Sequence, residues 1–241
     1  MWANLTTAVA QLPGMGFLRR RIQRRQWQQT LASSSTSEVF AEIYRRNKWG
    51  SEQSVSGSGS ELIQTRRLIE LLPMLFEQFQ VRSLLDVPSG DFNWMSHVDL
   101  DGIDYLGGDI VDDIVERNQS HHQRPGVRFQ RIDLLSDSLP RADLVLCRDC
   151  LVHFSSQDVR RALGNIFRSG ATYLLTTTFP NCQQNREILT GQWRPLNLQA
   201  APIRLPSPQE LFNEGCTERN GRYADKSLGL WRVADLEAAI R

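Results

Sequence analysis

The chain has 241 residues, of which 40% are apolar and 23% charged, and its formal net charge is +1. This size suits one large α/β domain with an appendage, and the balanced charge predicts neither a nucleic-acid partner nor an acidic one. No apolar run approaches the ~18 residues that a membrane span needs, and four cysteines in so long a chain are typical of a reducing, cytoplasmic compartment.

Residues 1–36 are predicted to form an appendage that ends in the serine- and threonine-rich stretch 33–36. Its apolar beginning precedes its charges, which is the reverse of a secretion signal. Five arginines at positions 19–25 lie beside apolar residues, so the pattern at 17–27 is typical of a helix in weak contact with a membrane or another anionic surface. A solvated helix face is the plainer alternative. Residues 37–241 are assigned to one α/β domain.

Residues 49–60, WGSEQSVSGSGS, separate a short periodic helix at 39–44 from a long one at 61–79. We call them the Gly/Ser segment. One interpretation is a linker. The other is a ligand lid, because flexible backbone ahead of a helix N-terminus makes an anion site. Ser60 is the predicted cap of the long helix.

Residues 81–94, VRSLLDVPSGDFNW, have the pattern of a buried strand that ends at Asp86 and turns at Gly90. Such a turn, followed by a helix, is the ligand-binding edge of a parallel sheet. A dinucleotide motif needs three glycines, but Pro88 and Phe92 stand where two of them would be. Since Pro88 has no N–H for a pyrophosphate, the pattern argues against NAD and FAD and permits a ligand without phosphates.

Strands and helices alternate after this turn. The predicted strands cover residues 103–107, 127–132, 143–147 and 172–177, with helices at 111–118 and 157–168 and a late strand at 226–233. This order predicts a doubly wound α/β fold, in which right-handed crossovers join the strands of a parallel sheet.

Acidic residues recur where predicted strands end, at Asp86, Asp109, Asp133 and Asp149. Because the carboxyl ends of parallel strands meet in one crevice, we expect these side chains to lie close together. Asp109 follows the first acid by 23 positions, near the ~20 expected of an acid that binds ribose hydroxyls. Asp133 is placed to accept a hydrogen bond from an adenine amine. For each acid alone, a helix cap is the alternative.

Cys147 and Cys150 have the CxxC spacing of a metal or redox site. Neither a second cysteine pair nor a histidine cluster accompanies them, so no metal is predicted.

The segments LLDVPSGDFNW, YLGGDIV, FQRIDLL, DLVLCRDCLVHF and YLLTTTF follow one another over about residues 82–180. This order resembles the class I S-adenosylmethionine-dependent methyltransferases. The chain also resembles a bacterial subgroup in which a Trp-Gly-Ser…Ser-Gly-x-Gly-Ser segment precedes a DxPxGDFxWM loop, here residues 49–60 and 86–95. The resemblance implies a mostly parallel, seven-stranded, Rossmann-like sheet with an N-terminal helical appendage, and S-adenosylmethionine as the cofactor.

In that family the first acid and its loop hold the methionine part of the cofactor, the second acid holds the ribose, and the third binds the adenine. Carried over, the expected cofactor contacts are Asp86, Pro88, Gly90, Asp91, Trp94, Asp109, Ile110, Asp133, Leu134 and Arg148. Pro88 and Phe92 depart from the family pattern, so the methionine end is expected either to sit differently or to be held by Asp91, Asn93 or Trp94.

Methyl transfer needs alignment of the reacting atoms, exclusion of water and, for an alcohol acceptor, a base. Asp149 and His153 follow the fourth predicted strand and are the candidate bases. The alternative for His153 is structural packing against the cofactor loop.

A second group of polar residues follows the fifth predicted strand, where loops often contact substrates. The candidate acceptor contacts are Asn181, Trp193, Arg194 and Asn197. A tryptophan can stack on a sugar face, and an arginine can pair with an anionic group. A loop that merely covers the sheet is the alternative.

The sequence thus predicts an S-adenosylmethionine-dependent methyltransferase that acts on a small polar or saccharide-like acceptor. A non-catalytic binding or scaffold protein of the same fold stays open. A nucleotide-dependent oxidoreductase or epimerase is disfavoured by the missing glycines. The sequence makes no prediction of the oligomeric state.

Overall fold

The computed structural model describes residues 15–236, with side chains from residue 21 onward. The chain divides into two units, Met1–Ser35 and Thr36–Arg241. In the first unit, helix α1 spans Met15–Ser33. The features predicted at residues 1–14 and for the side chains of Phe17 and Leu18 lie outside the described part. Among the described residues, no helix is both long and apolar enough to cross a membrane.

The second unit is built on one seven-stranded sheet. Its strands are β1 (Ser83–Asp86), β2 (Asp104–Asp109), β3 (Val127–Arg131), β4 (Leu144–Cys147), β5 (Tyr173–Thr178), β6 (Glu210–Asn213) and β7 (Ser227–Arg232). Its helices are α2 (Thr36–Arg45), α3 (Leu62–Gln78), α4 (Asp112–His122), α5 (Ser156–Arg168) and the single turn α6 (Glu218–Gly221). The strand order is β3-β2-β1-β4-β5-β7-β6, and β7 alone runs antiparallel to its neighbours. The predicted doubly wound, mostly parallel sheet is confirmed.

The central strands are buried on both faces, which explains their near-continuous apolar runs. Leu85 and Val145 belong to the hydrophobic cluster that includes the buried side of α5. Their chain neighbours Leu84 and Leu144 belong to the cluster formed with α3 on the other face. Neighbouring residues of one strand therefore stabilise opposite layers, as the two-residue period of a strand requires.

Strand β6 was not predicted. It lies at the edge of the sheet and pairs only with β7. Three of its four residues are exposed. An exposed edge strand lacks the apolar run that marks a buried one, so its sequence carries no strong strand signal.

The turn after β1 differs from the prediction, because no α-helix begins there. A short 3-10 turn, Met95–His97, is the only helical structure between β1 and β2. Phe92 adopts a left-handed backbone (φ 57°), and its buried ring lies 5.1 Å from the ring of Phe129. The loop is therefore anchored in the core by an aromatic ring instead of continuing as a helix.

The predicted cap of α3 is also wrong. Ser60 belongs to a 3-10 turn, Ser58–Ser60, and Glu61 is the residue that precedes the helix. The side chain of Glu61 does not cap the helix. Instead, the side-chain oxygen of Gln53 accepts a hydrogen bond from the Leu62 N–H, at 2.7 Å.

Candidate functional site

A cleft of about 980 Å³ opens where strands β1, β2, β3 and β4 end. Residues from all four strand ends line it, as expected for the crevice of an open parallel sheet. Of the predicted site residues, the structure brings together Asp86, Pro88, Gly90, Trp94, Asp109, Ile110, Asp133, Leu134, Arg148, Asp149 and His153. We call this the first cleft.

Asp86 lies at the base of the first cleft, and its carboxylate is buried. Burial raises the pKa of Asp86 to about 7, although a hydrogen bond from the Tyr105 hydroxyl (2.7 Å) and the charge of Arg148 both lower it. A cation bound in the cleft would stabilise the charged carboxylate. The group is therefore suited to hold a positively charged part of a ligand.

Asp109 ends β2 and is also buried. Burial raises the pKa of Asp109 to about 6, although the backbone N–H groups of Val111 and Gly90 donate to its two oxygens at 3.0 and 3.1 Å. Each carboxylate oxygen has a second lone pair, so the group can still accept hydrogen bonds from two hydroxyls.

An apolar wall lies beside Asp109 in the first cleft. It consists of Ile110, Val111, Ile114, Ile132 and Leu134. Asp133 also lines the cleft, but its carboxylate accepts local hydrogen bonds from the Leu135 N–H (2.9 Å) and the Ser136 hydroxyl (2.8 Å). The Asp133 carboxylate therefore stabilises the turn after β3. A flat ring bound against the wall would make mainly apolar contacts.

The Gly/Ser segment closes the near side of the first cleft, and the loop after β1 holds it there. The carboxylate of Asp91 accepts hydrogen bonds from the Ser54 hydroxyl and the Val55 N–H, both at 2.9 Å. The amide of Asn93 donates to the Ser60 carbonyl at 3.0 Å. Asp91 and Asn93, both expected at the methionine end of a cofactor, instead bind this segment. Of the three residues expected there, Trp94 lines the cleft.

Gly90 makes the closure possible. A β-carbon at this position would lie 2.1 Å from the hydroxyl oxygen of Ser56, and its backbone is left-handed (φ 53°). Any other residue would therefore push the segment away from the loop. The Asn118 amide donates to the Gly90 carbonyl at 2.7 Å, which fixes the orientation of this peptide.

Four charged residues, of which all but the partly exposed Asp149 are buried, join β4 to the β6–β7 hairpin. Arg148 donates to the Glu214 carboxylate (2.7 Å) and to the Gly59 carbonyl of the Gly/Ser segment (2.8 Å). Lys226 lies between the carboxylates of Asp149 and Glu214. The four residues, which we call the ion quartet, carry no net charge. The nearby carboxylates raise the pKa of Arg148, although burial opposes this.

Asp149 is a poor candidate base. Burial alone would raise its pKa, but Lys226 and Arg148 hold the pKa of Asp149 at about 2. Its backbone is left-handed (φ 50°), and its N–H donates to the Thr177 hydroxyl at 2.8 Å. A carboxylate so strongly paired binds a proton weakly, so its role is electrostatic.

His153 is the better candidate base. Its Nδ1 lies 3.0 Å from the Gln192 carbonyl oxygen, which can only accept, so Nδ1 carries the proton and Nε2 keeps a lone pair. Burial lowers the pKa of His153 to about 4, although Asp149 raises it. The imidazole is therefore neutral at physiological pH.

A second cleft of about 900 Å³ adjoins the first. Four residues, Trp49, Ser56, Asp149 and His153, line both clefts. The far wall of the second cleft is aromatic, with the ring of Trp193 lying 4.9 Å from Tyr223 and 6.1 Å from Phe179. Two molecules bound in the two clefts would therefore meet beside His153.

The predicted acceptor contacts separate into two groups. Trp193 lines the second cleft, but Asn181, Arg194 and Asn197 line neither cleft. The Asn197 amide donates to the carbonyls of Pro180 and Cys182, both at 3.1 Å. Asn181 is exposed, and its N–H donates to Asp225. The Asn197 side chain therefore organises the loop after β5 by local hydrogen bonds, whereas the backbone N–H of Asn181 ties that loop to Asp225, 44 positions later.

Arg194 turns inward and holds the turn that carries His153. It is 1% exposed, and its Nη1 donates to the carbonyls of Leu151 and Val152 at 3.4 and 3.3 Å. Its own N–H donates to the Val152 carbonyl at 3.1 Å, and the Gly191 N–H donates to the His153 carbonyl at 2.8 Å. Arg194 is thus a positioning residue and not an acceptor contact in this structure.

Several residues of the two clefts were not predicted from the sequence. They are Trp49, Glu218, Arg219, Tyr223 and Lys226. Glu214, which lines neither cleft but pairs with Arg148 and Lys226, was not predicted either. A lysine just before a late apolar strand, as Lys226 stands before β7, was an available signal. The partners Asp149 of Lys226 and Arg148 of Glu214 lie 77 and 66 positions away in the chain.

Cys147 and Cys150 are buried free thiols. A hydrogen bond with Cys147 and burial raise the pKa of Cys150 well above its ordinary value. Within residues 15–236, no three His, Cys, Asp or Glu side chains are grouped so as to hold a metal ion. The pair belongs to the core behind β4.

Solved structures show which fold this is. Human N-acetylserotonin methyltransferase, solved in complex with S-adenosylmethionine, has a TM-score of 0.57 and 16% identity, and the match covers 90% of this chain and 66% of that chain. The methyltransferase domain of a bacterial Hen1 protein has a TM-score of 0.53 and 12% identity, with 71% and 98% covered. No protein-family model and no curated protein matches the sequence. The chain has the fold of S-adenosylmethionine-dependent methyltransferases.

Replacing Arg194 with alanine should lower the free energy of unfolding by about 2–4 kcal/mol. The carbonyls of Leu151 and Val152 would lose a buried donor, and the truncated side chain would leave a cavity. Urea unfolding measures the change. Arg186→Ala, which removes an exposed arginine of the same loop, should change stability by less than about 0.5 kcal/mol. Equal losses in the two variants would contradict the buried role of Arg194.

Proposed function

We propose that the protein is an S-adenosylmethionine-dependent methyltransferase that acts on a small polar or saccharide-like acceptor. The observation that carries the proposal is the meeting of two clefts at His153 and Asp149. One cleft has the features of a cofactor site in this fold, and the other is open to a second molecule. A transferase needs two such sites in contact.

The residues of the first cleft fit the cofactor. The Asp109 carboxylate accepts hydrogen bonds and would hold the two ribose hydroxyls, while the wall around Ile110 and Leu134 would hold the adenine ring. Asp86 would face the positively charged methionine part, and Trp94 and Arg148 lie nearby. Nothing in the cleft resembles a pyrophosphate cradle, since the Pro88 nitrogen has no hydrogen to donate.

When bound, the cofactor supplies an electrophilic methyl group on a sulfonium. The residues of the chain have three tasks in this reaction. The Gly/Ser segment excludes water from the first cleft, because Asp91 holds its middle, at Val55, and Arg148 holds its C-terminal part, at Gly59. Nε2 of His153 accepts the proton of an acceptor hydroxyl as the oxygen attacks. The Asp149 carboxylate stabilises the imidazolium that forms.

The second cleft supports the acceptor class. Trp49, Trp193 and Tyr223 offer aromatic faces, on which a sugar or another flat ring can stack. Lys48, Glu218 and Arg219 surround them with charged groups. The Ser58 hydroxyl donates to the Glu218 carboxylate at 2.6 Å, which positions this acid at the rim. Aromatic walls with a polar rim suit a compact polar molecule better than a lipid chain.

Asp109→Ala should weaken the binding of S-adenosylmethionine by about 1.5–3 kcal/mol, or roughly 10- to 150-fold, because a charged hydrogen-bond partner is lost. Calorimetry with S-adenosylmethionine measures the change, and NAD should not bind. Asp101→Ala, an exposed acid of the β1–β2 connection, is the matched control and should bind normally. Unchanged affinity in a folded Asp109→Ala protein would contradict the assigned site.

Binding of S-adenosylmethionine should weaken as the pH falls through 7. The pKa of Asp86 is raised to about 7 in the free protein, so at lower pH the carboxyl is neutral and loses its attraction for a cation. A single such group gives an affinity about tenfold lower at pH 6 than at pH 8.

Two variants test whether Asp86 is the group that titrates. Asp86→Asn should bind with little dependence on pH. Tyr105→Phe removes a hydrogen bond that lowers the pKa of Asp86, so its transition should move to higher pH. A wild-type affinity that is the same at pH 6 and pH 8 would rule out this role of Asp86.

Methyl transfer itself separates an enzyme from a non-catalytic protein of the same fold. With methyl-labelled S-adenosylmethionine and a panel of sugars, sugar acids and phenols, the wild type should label at least one compound. His153→Asn and Trp193→Ala should both bind the cofactor within about twofold of the wild type. His153→Asn should reduce transfer by about 10²-fold or more, the contribution of a general base, and Trp193→Ala should also impair transfer, because an aromatic wall of the second cleft is lost. Cofactor binding without any transfer would favour the binding-protein alternative.

A further inference from the structure

The two units of the chain carry opposite charges. Residues 1–35 contain five arginines and no acidic residue, since Glu38 is the first acid in the sequence. The remaining residues contain 23 basic and 27 acidic side chains, a formal charge of −4. The net charge of +1 is therefore the sum of a strongly basic N-terminal part and an acidic remainder. The expectation that nucleic acid is not a partner was based on the net charge alone.

The arginines of α1 form one exposed face with two glutamines. Arg21, Arg24, Arg25, Gln28 and Gln29 are all exposed and line the same shallow groove. Their spacing of three, four, seven and eight residues places them on one side of a helix. At 1.5 Å per residue this face is about 12 Å long. It offers three guanidinium groups and two amides, all able to donate to phosphate oxygens.

These charges have no compensation within their own helix. Arginines at i, i+3 and i, i+4 repel each other by a few tenths of a kcal/mol per pair, and no acid is present in residues 1–35 to offset this. Other helices of the chain do compensate such charges. Arg45 and Arg46 both pair with Glu42, and Arg161 pairs with Asp158. The basic face of α1 therefore favours an external polyanion.

An anionic membrane is the competing surface, but the described side chains of α1, from residue 21 onward, form no continuous apolar stripe of the kind that a membrane-bound helix needs. Ile22 and Leu31 are nine residues apart, which places them on opposite sides of the helix. Ile22 is exposed, whereas Leu31 is buried. Polar residues surround Ile22 on every described side, so a bilayer would gain little apolar contact.

We infer that α1 is a nucleic-acid-binding helix, which contacts the phosphates of a strand through Arg21, Arg24 and Arg25 without reading its sequence. None of these arginines lines either cleft, and the inference does not depend on the proposed methyl transfer. Binding of this kind releases counterions, so its affinity falls steeply with salt.

The experiment compares the full-length wild type with two variants of equal net charge. One is Arg21→Gln/Arg24→Gln/Arg25→Gln, in which glutamine preserves helix propensity. The control is Arg66→Gln/Arg141→Gln/Arg232→Gln, three exposed arginines of the second unit. Fluorescence anisotropy with a mixed-sequence 20-nucleotide RNA is recorded between 50 and 200 mM salt, and circular dichroism checks that each variant is folded.

The wild type should bind with a log–log salt slope that the α1 variant reduces by about 2, since each phosphate contact on a single strand contributes about 0.7. At 50 mM salt the α1 variant should bind at least about tenfold more weakly, and the control within about twofold of the wild type. Equal losses in both variants, or no binding by the wild type, would overturn the inference. So would binding to phosphatidylglycerol vesicles in the absence of RNA binding.

Discussion

The site depends on the ion quartet of Arg148, Asp149, Glu214 and Lys226. Each buried charge carries a desolvation penalty of several kcal/mol, which only its partners offset. Arg148 and Asp149 directly follow the central parallel strand β4, while Glu214 and Lys226 lie in the connection of the antiparallel β6–β7 hairpin at one edge of the sheet. The quartet therefore joins these two parts of the sheet, and through the Gly59 carbonyl it also holds the Gly/Ser segment over the first cleft.

The loop after β1 explains how this chain manages without a glycine-rich motif. In a dinucleotide site the extra glycines let a helix begin close to the ligand, but here no helix begins. Phe92 enters the core, and Asp91 and Asn93 bind the Gly/Ser segment. Only Gly90 must be glycine, because Ser56 occupies the space that a side chain would need. The loop and the segment together form one wall of the cleft.

The sequence was sufficient to predict six of the seven strands and the edge of the sheet at which the cleft opens, because apolar periodicity and the acids at the ends of β1 to β4 are local signals. The sequence was not sufficient to predict whether an individual side chain points into the cleft or into the core. Arg194 looked like an anion-binding residue, yet it points into the protein toward two carbonyls that its own sequence context does not reveal. The roles of Glu214 and Lys226 could not be predicted, because their partners are far away in the sequence and come close only in the folded protein.

The position of the β6–β7 hairpin limits how this site can be built into other proteins. Strands β1 to β4 and their loops supply most of the first cleft, so they could be taken for a unit that can be transferred to another protein. Yet a fragment ending before residue 210 would keep Arg148 and Asp149, which lie 3.4 Å apart, and would lose Glu214 and Lys226. In such a fragment the Gly/Ser segment would be hydrogen-bonded to an arginine that has lost the Glu214 carboxylate. Grafting or domain exchange in this fold must therefore carry the C-terminal hairpin along with the cofactor half.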